Sequence, residues 1–581
     1  MFRNHFKTAL RNLSKHKSYA SLNIVGLAVG VAACLLILQF VTDELSFDKH
    51  HEHSDRLYRV DTRYQLGNKI HESGSTPSPL AWAIKGDFPE VEDAARIYKV
   101  PDVDKWLLTY EDNSYYEKIG AFADSNFFDL LTYDFLAGDK KTALNQPYSV
   151  VISDKVSEKL FGDENAVGKT IEINCSWGEN DYHITGVFDS QKYRSHLEAS
   201  IYVSGMSANI GRRFYRLQEW GGNNLFFTYV RLKEGTDPAA LTAKIPEWLE
   251  GYAGERFREL GMQKEHYLTP ISDVYLKAQG GNWFGGKGDI TFIYILISVA
   301  AFILLIGCIN FMNLATAKAT LRAKEVGVRK VVGANRGMLI RQFMTEALVY
   351  SGIAVVIAYV LAELTLPIFN QLTDKDLTIH LFDFQLLGWL VGFIILITLA
   401  AGSYPALYLS SFSPIKIFRN NFGSQLSSQQ IRKGLVVIQF IISIALIQGI
   451  LVINEQMNFI RDKNLGFSPE AKLVMPVGTW DVFQNFEPFR NELLKNNQIH
   501  EVAGTSSYPG EINLESYFYF KEGQTPDEGF HAFCNSVTPE FMEMMDFELI
   551  KGRFFDRNRP ADTLKTAVIS EKAMLGMGFT E

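Results

Sequence analysis

Cysteine is scarce in this 581-residue chain, and its placement excludes a disulfide scaffold. Cys34 and Cys308 fall inside long apolar runs, whereas Cys175 and Cys534 fall in different polar stretches, so no polar stretch holds a pair. A CxxC pair is also missing, which removes the usual zinc spacing. Positive charge is not in excess. The net charge is −8 and the basic residues gather beside apolar runs, so no nucleic-acid partner is expected. There is no Ser-His-Asp, paired-carboxylate or nucleophilic-cysteine arrangement of interpretable spacing, so the chain is not expected to be an enzyme. One near miss is Gly281-Asn282-Trp283-Phe284-Gly285-Gly286-Lys287. It has the spacing of a phosphate-binding loop, but Gly288 stands where Ser or Thr would ligand Mg²⁺. It reads as a juxtamembrane linker. His50, His51 and His53 with Glu52 lack HExxH spacing and read as a solvated linker rather than a metal site.

Long apolar runs are what the sequence does have. Residues 22–41, 292–314, 347–366, 386–409 and 434–453 are each close to the roughly 20 residues a helix needs to cross a hydrocarbon core. The flanking charges orient them. Arg3, Lys7, Arg11, Lys15 and Lys17 precede the first run without an acidic residue. Lys318, Arg322, Lys324, Arg329, Lys330, Arg336 and Arg341 follow the second, against Glu325 and Glu346, and Lys416, Arg419, Arg432 and Lys433 follow the fourth. The loop after the third is acidic, with Asp374, Asp376 and Asp383 around Lys375. The positive-inside rule then places the N-terminus in the cytoplasm and both polar stretches outside. Val31-Ala32-Ala33-Cys34 has the look of a lipoprotein cleavage box, but apolar residues continue through Leu35, Leu36, Ile37, Leu38, Phe40 and Val41. That length favours a retained helix over a cleaved signal. Glu363, near the outer end of the third run, reads as snorkelling to the interface. Asn310 and Asn313 read as helix-packing hydrogen bonders.

The polar stretches repeat. Phe127-Phe128-Asp129-Leu130-Leu131-Thr132-Tyr133-Asp134-Phe135-Leu136-Ala137-Gly138 aligns without a gap with Phe541-Met542-Glu543-Met544-Met545-Asp546-Phe547-Glu548-Leu549-Ile550-Lys551-Gly552. Val150-Val151-Ile152-Ser153-Asp154-Lys155 matches Ala567-Val568-Ile569-Ser570-Glu571-Lys572. The first stretch reads as mixed α/β. It has a strand at 149–153, a helix at 154–161 capped by Ser153, turns at Gly162 and Gly168, and strands at 170–174, 182–188 and 225–232. The second stretch is expected to be incomplete and poorly stable, the chain being a fragment of a longer two-unit protein.

Four stretches resemble a known family. They are Phe2-Arg3-Asn4 with Ser21-Leu22-Asn23-Ile24-Val25-Gly26-Leu27-Ala28-Val29-Gly30, then Asp55-Arg56-Leu57-Tyr58-Arg59-Val60, then Phe161-Gly162 through Ala166-Val167-Gly168-Lys169, and Lys324-Glu325-Val326-Gly327-Val328-Arg329-Lys330-Val331-Val332-Gly333-Ala334-Asn335. The chain resembles an ABC transporter permease of the MacB/FtsX type. The resemblance implies a multi-pass α-helical membrane protein with inserted extracytoplasmic α+β domains and five transmembrane helices. Residues 1–42 would form a cytoplasmic stub and the first helix, 43–290 a MacB-like α+β domain, and 291–410 an FtsX-like permease domain with a cytoplasmic coupling segment at 315–341. Residues 411–455 would be a loop and the fifth helix, and 456–581 a second extracytoplasmic domain. The resemblance also implies a bacterial inner-membrane location, a separate cytoplasmic ABC ATPase that carries ATP and Mg, a permease dimer, and a periplasmic adaptor or outer-membrane partner beside membrane lipid.

Within the last stretch, Lys324, Glu325, Val326, Gly327, Val328, Arg329, Lys330, Gly333 and Ala334 are the expected ATPase-coupling residues. Their physical reading is a short helix. Glu325 and Arg329 stand at i,i+4 in the better order, Arg329 and Lys330 suit the helix C-terminus, Gly333 ends the helix and Asn335 caps the next. A membrane sensor would need a cytoplasmic signalling region, and no cytoplasmic stretch is long enough for one. The expected activity is export or extraction of a small molecule, peptide or lipoprotein, or mechanical regulation of an outside partner.

Overall fold

A computed structural model describes residues 2–15, 17–66, 69–99, 105–118, 120–175, 178–207, 211, 215–221, 224–281, 284–317, 319–380, 383–411, 425–468, 470–509, 515–519, 530–563 and 566–579. Lys318, Lys416, Arg419, Asn282 and Trp283 of the sequence reading lie outside the described residues. The chain divides into two compact units, Met1–Leu45 with Ile290–Lys463, and Ser46–Asp289 with Asn464–Glu581.

The first unit is helical. It comprises α1 (Phe2–Lys15), α2 (Lys17–Glu44), α3 (Ile290–Ala317), α4 (Ala319–Val331), α5 (Arg336–Thr373), α6 (Phe384–Ser410) and α7 (Gln425–Asp462). Among the described residues, five of these (α2, α3, α5, α6 and α7) are long and apolar enough to cross a membrane. Each contains one of the expected runs. α2 runs unbroken through Cys34, as a retained helix requires. It is the central element, packing on both α3 and α5, while α6 packs on α5. Small residues allow this close approach: Ala28, Ala354, Ala358 and Ala362 are fully buried in the shared core beside Val31 and Tyr350. Asn310 of α3 faces Gly26 of α2, consistent with a packing role, and Glu363 is exposed on α5. Lys375 holds the acidic loop against the end of α2. Its Nζ lies 2.5 Å from Asp43 of α2, pairs also with Glu44, and sits 4.9 Å from the centre of the Phe40 ring.

In the second unit, among the described residues, fourteen strands form one mixed sheet. Its main path runs Met262–Pro270, Leu57–Leu66, Asn224–Leu232, Val91–Tyr98, Gly120–Ala123, Ile201–Ser204, Ser149–Ser153, Gly178–Phe188, Thr170–Cys175, Trp106–Tyr110 and Asn113–Glu117. The strands and helix expected between 149 and 232 are present, and Ser153 Oγ accepts from Val156 N at 3.3 Å. Apolar side chains cover both faces. Trp106, Phe122, Ile152 and Ile201 lie in one cluster, and Phe127, Phe128, Tyr202 and Phe227 in another. A buried bidentate pair, Arg96 Nε and Nη2 to Asp124 at 2.9 Å each, satisfies a charge inside the sheet.

The histidine linker is corrected in part: Glu52 and His53 are exposed as expected, whereas His50 is half-buried. His51 is buried, and Asp48 beside it is fully buried, accepting from Ser195 Oγ (2.8 Å), His196 N (3.1 Å) and His196 Nδ1 (2.8 Å). His196 Nε2 reaches Tyr229 OH at 2.7 Å, and the His50 ring stacks on Tyr193 at 4.4 Å. Charge-rich sequence suggested solvent; a partner 148 residues away made burial affordable.

Candidate functional site

The segment expected to couple to an ATPase contains a helix, α4, with a defined C-terminal end. α4 stops in a two-bond Schellman turn: Ala334 N donates to Arg329 O at 2.9 Å and Gly333 N to Lys330 O at 3.1 Å. Gly333 has φ +103°, a conformation that an L side chain rarely adopts. Two residues on, Asn335 Oδ1 accepts from Met338 N at 2.8 Å and starts α5. The reversal between the two helices is therefore short and stiff.

Burial divides the helix by face. Val326 is 1% exposed, packed with Leu339 and Phe343 of α5 and Ala406 and Leu409 of α6, and Gly327 is buried next to it. Lys324 lies one turn back from Val328 within α4. Lys330 Nζ donates to Ser410 O at 2.7 Å, at the last residue of α6, where a cation suits the helix C-terminus. Arg336 Nε reaches Ser410 Oγ at 3.4 Å. Arg329 Nη1 donates to Gln342 Oε1 of α5 at 3.0 Å. The expected Glu325–Arg329 pair is not formed, because Arg329 turns toward α5 while Glu325 stays on the outer face.

That outer face is apolar. Val328, Val331 and Val332 are 53%, 66% and 83% exposed, and with Glu325 they share one arc of about 120° at helical spacing. Ala334 is half-buried at the turn. Val328 and Val331 on α4, with Val332 in the turn that follows, form an exposed apolar patch. The sequence reading found the helix, its stop and its cap. It missed the Lys330–Ser410 bond, which joins residues 80 apart in the sequence, and it missed the valine face. The signal for the latter was present: Val328, Val331 and Val332 fall three and four residues apart, opposite Val326.

Val326, Arg329 and Lys330 thus tie α4 to α5 and α6. The described residues hold five helices long and apolar enough to span a membrane, a large sheet domain inserted after the first of them and a short elbow after the second. The MacB-like periplasmic core domain matches residues 20–247, and the FtsX-like permease C-terminal domain matches residues 297–414, which include all of α4. The chain belongs to the MacB/FtsX-type ABC transporter permeases.

Its relatives include the ABC transporter permease YvrN of Bacillus subtilis, 24% identical over 60% of this chain and 83% of YvrN. The macrolide export ATP-binding/permease protein MacB of Bdellovibrio bacteriovorus is 28% identical over 46% of this chain and 38% of MacB. The chain thus spans most of YvrN but well under half of that MacB. The pyoverdine export ATP-binding/permease protein PvdT of Pseudomonas aeruginosa is 25% identical over 60% of this chain and 47% of PvdT. Among solved structures, the periplasmic region of MacB from Actinobacillus actinomycetemcomitans is 15% identical with a TM-score of 0.26, over 37% of this chain and 89% of that one.

Proposed function

We propose that this permease couples ATP hydrolysis by a separate cytoplasmic ATPase, which holds the ATP and Mg, to motion of its extracytoplasmic domain. The work done is export or extraction of a small molecule, peptide or lipoprotein from the bacterial inner membrane, by a permease dimer acting with a periplasmic adaptor or an outer-membrane partner. The N-terminus and α4 face the cytoplasm. The observation that carries this reading is the valine face of α4, held by Lys330 on α6 and by Arg329 on α5. It gives an apolar docking surface joined rigidly to two spanning helices. The export relatives MacB and PvdT support the direction of transport.

The test is co-purification of the ATPase with variants that insert normally. Arg329→Glu with Gly327→Trp, and separately Val328→Asp with Val332→Asp, are expected to cut ATPase recovery at least tenfold. A desolvated interfacial charge or apolar anchor is worth about 2 kcal/mol or more. Unchanged recovery with both pairs would remove the docking role.

A further inference from the structure

A second amphipathic element, α1, takes no part in the proposed ATPase docking. Its basic residues Arg3, Lys7, Arg11 and Lys15 recur every four positions. At 100° per residue they form one stripe about 120° wide, and Phe2, Phe6, Ala9, Leu10 and Leu13 form another about 100° wide. The protein itself covers only one edge of the apolar stripe. Ala9 is 3% exposed and Leu13 packs on the helical core, with α1 lying along α5. Phe6, about 20° farther round than Leu13 on the side toward the cations, is 43% exposed. Lys7, Arg11 and Lys15 are exposed, and among the described residues no ion pair engages them. No acidic residue precedes Asp43, so nothing in the first 42 residues neutralises the stripe. Lys17, exposed at the start of α2, adds a further cation where the chain enters the spanning helix.

Going around α1, then, one edge meets the helix bundle, the next presents a bare phenylalanine, and the next presents cations. That order fits a helix lying in the plane of a membrane interface, with Phe6 in the acyl boundary and the cations at the level of the headgroups. We propose that α1 binds anionic phospholipid headgroups of the leaflet on the N-terminal side, through Lys7, Arg11 and Lys15 with Arg3 in series. The proposal rests on the reading that puts the N-terminus in the cytoplasm, since that decides which leaflet is engaged. It does not depend on ATPase docking, so the two can fail separately.

The experiment is native mass spectrometry of the full chain, purified without ATPase and equilibrated in detergent with equal amounts of phosphatidylglycerol and phosphatidylcholine. Wild-type protein is expected to retain phosphatidylglycerol in preference. Lys7→Gln/Arg11→Gln/Lys15→Gln is expected to lower that preference about a hundredfold, at roughly fivefold per cation. Lys7→Arg/Lys15→Arg, which keeps the charge, should behave as wild type, and this separates lipid binding from damage to the helix. Inorganic phosphate at millimolar concentration should leave the retained lipid in place; its displacement would make the stripe a free-phosphate site and overturn the proposal. Undiminished phosphatidylglycerol retention by the triple Gln variant would overturn it too, as would a triple Gln variant that keeps its lipid but loses ATPase co-purification.

Discussion

Residues 127–138 and residues 541–552 make the same local shape out of different side chains. Each opens with a one-turn helix, Phe127–Leu130 and Phe541–Met544, closed by equivalent bonds from Leu131 N to Phe127 O (2.9 Å) and from Met545 N to Phe541 O (3.0 Å). In each, the first aromatic packs on the one six residues later, Phe127 on Tyr133 at 5.9 Å and Phe541 on Phe547 at 6.4 Å. Each ends on a glycine of positive φ, +89° at Gly138 and +94° at Gly552. Further on, Ser153 and Ser570 both cap short helices. The segments between differ. Phe135–Gly138 and Ser149–Ser153 are strands because Gly178–Phe188 and Ile201–Ser204 lie beside them. Residues 547–552 and 566–570 are not strands, and among the described residues no strand pairs with them. Caps and turns are satisfied within a few residues, whereas a strand needs a partner with which to exchange hydrogen bonds.

Core depth follows the same division, and the largest expected effect tests it. Phe127 is fully buried among Phe128, Tyr133 and Tyr202. Phe541 is also buried, but its neighbours Met544 and Phe547 are half-open to solvent. Phe127→Ala should cost about 4 kcal/mol, and Phe541→Ala no more than about half of that, because a shallow site relaxes into the space. Pulse proteolysis of the full chain across a urea series, read by the fragments that survive, measures both. Equal losses would mean that the second stretch holds a core as deep as the first.

The glycines sharpen the comparison. A Cβ on Gly138 would lie 2.2 Å from Thr185 O and 2.8 Å from Gly186 Cα, whereas a Cβ on Gly552 would meet nothing within 4 Å. Gly138→Ala therefore carries both left-handed strain and a backbone clash, about 3 kcal/mol together, while Gly552→Ala carries only the strain, about 1 kcal/mol. The same urea series separates them. A Gly552→Ala loss as large as that at Gly138 would point to a strand against residue 552.

These pairs also show what could be read in advance. Ser153, Gly333 and Asn335 act through local geometry, and the sequence reading placed each in its role. The spanning helices were legible because their length and their flanking charges each bear on the same question. Burial that depends on a distant partner was not legible. His51 read as part of a solvated linker, although it is buried beside Asp48 and His196, and Lys330 gave no hint of Ser410. Glu325 and Arg329 stand at the spacing of a helical ion pair, yet the tertiary contact to Gln342 won the arginine.

The buried histidine network predicts a pH response confined to the first stretch. Burial, with His51 alongside, pushes His50 down to about 4. The folded protein therefore binds this proton more weakly than the unfolded chain. The stability His50 contributes is fully present above the ordinary histidine range, near 6.5, and is lost as pH falls toward 4. Asp48 is held below the usual carboxylate range: burial would raise it, but His196 and His51 outweigh that, so its contribution fades only at still lower pH. The loss between pH 7 and pH 5 should be about 1 kcal/mol once solvent screening of the partly open His50 ring is allowed for. In the second stretch, His500 is exposed. Proteolytic protection of residues 46–289 should therefore fall at pH 5 more than that of residues 464–581. His50→Phe should reduce the response of the first stretch; a response unchanged in that variant would assign it to the fully buried His266, which burial and the nearby Lys264 hold well below the ordinary histidine range.

The smallest expected effect comes from the capping serines, and it bears most directly on what separates the two stretches. Ser153 Oγ accepts from Val156 N at 3.3 Å, and Ser570 Oγ accepts from Ala573 N at 3.2 Å, so the two bonds are equivalent. The helices they cap are not. Asp154–Phe161 buries Val156, Leu160 and Phe161 under the sheet, while Glu571–Gly576 buries none of its residues. Removing a cap costs about 1 kcal/mol of helix stability wherever it is. For Ser153→Ala that cost should reach the whole first domain, because its helix cannot fray without exposing core side chains. For Ser570→Ala it should stay local, since a helix with nothing buried can unwind without disturbing its neighbours. Amide hydrogen exchange distinguishes the two: Ser153→Ala should speed exchange across strands far from residue 153, such as Asn224–Leu232, and Ser570→Ala only within residues 571–578. Were Ser570→Ala to speed exchange around Phe541 as well, the second stretch would be a cooperative domain, and the difference between the repeats would lie in its strands alone.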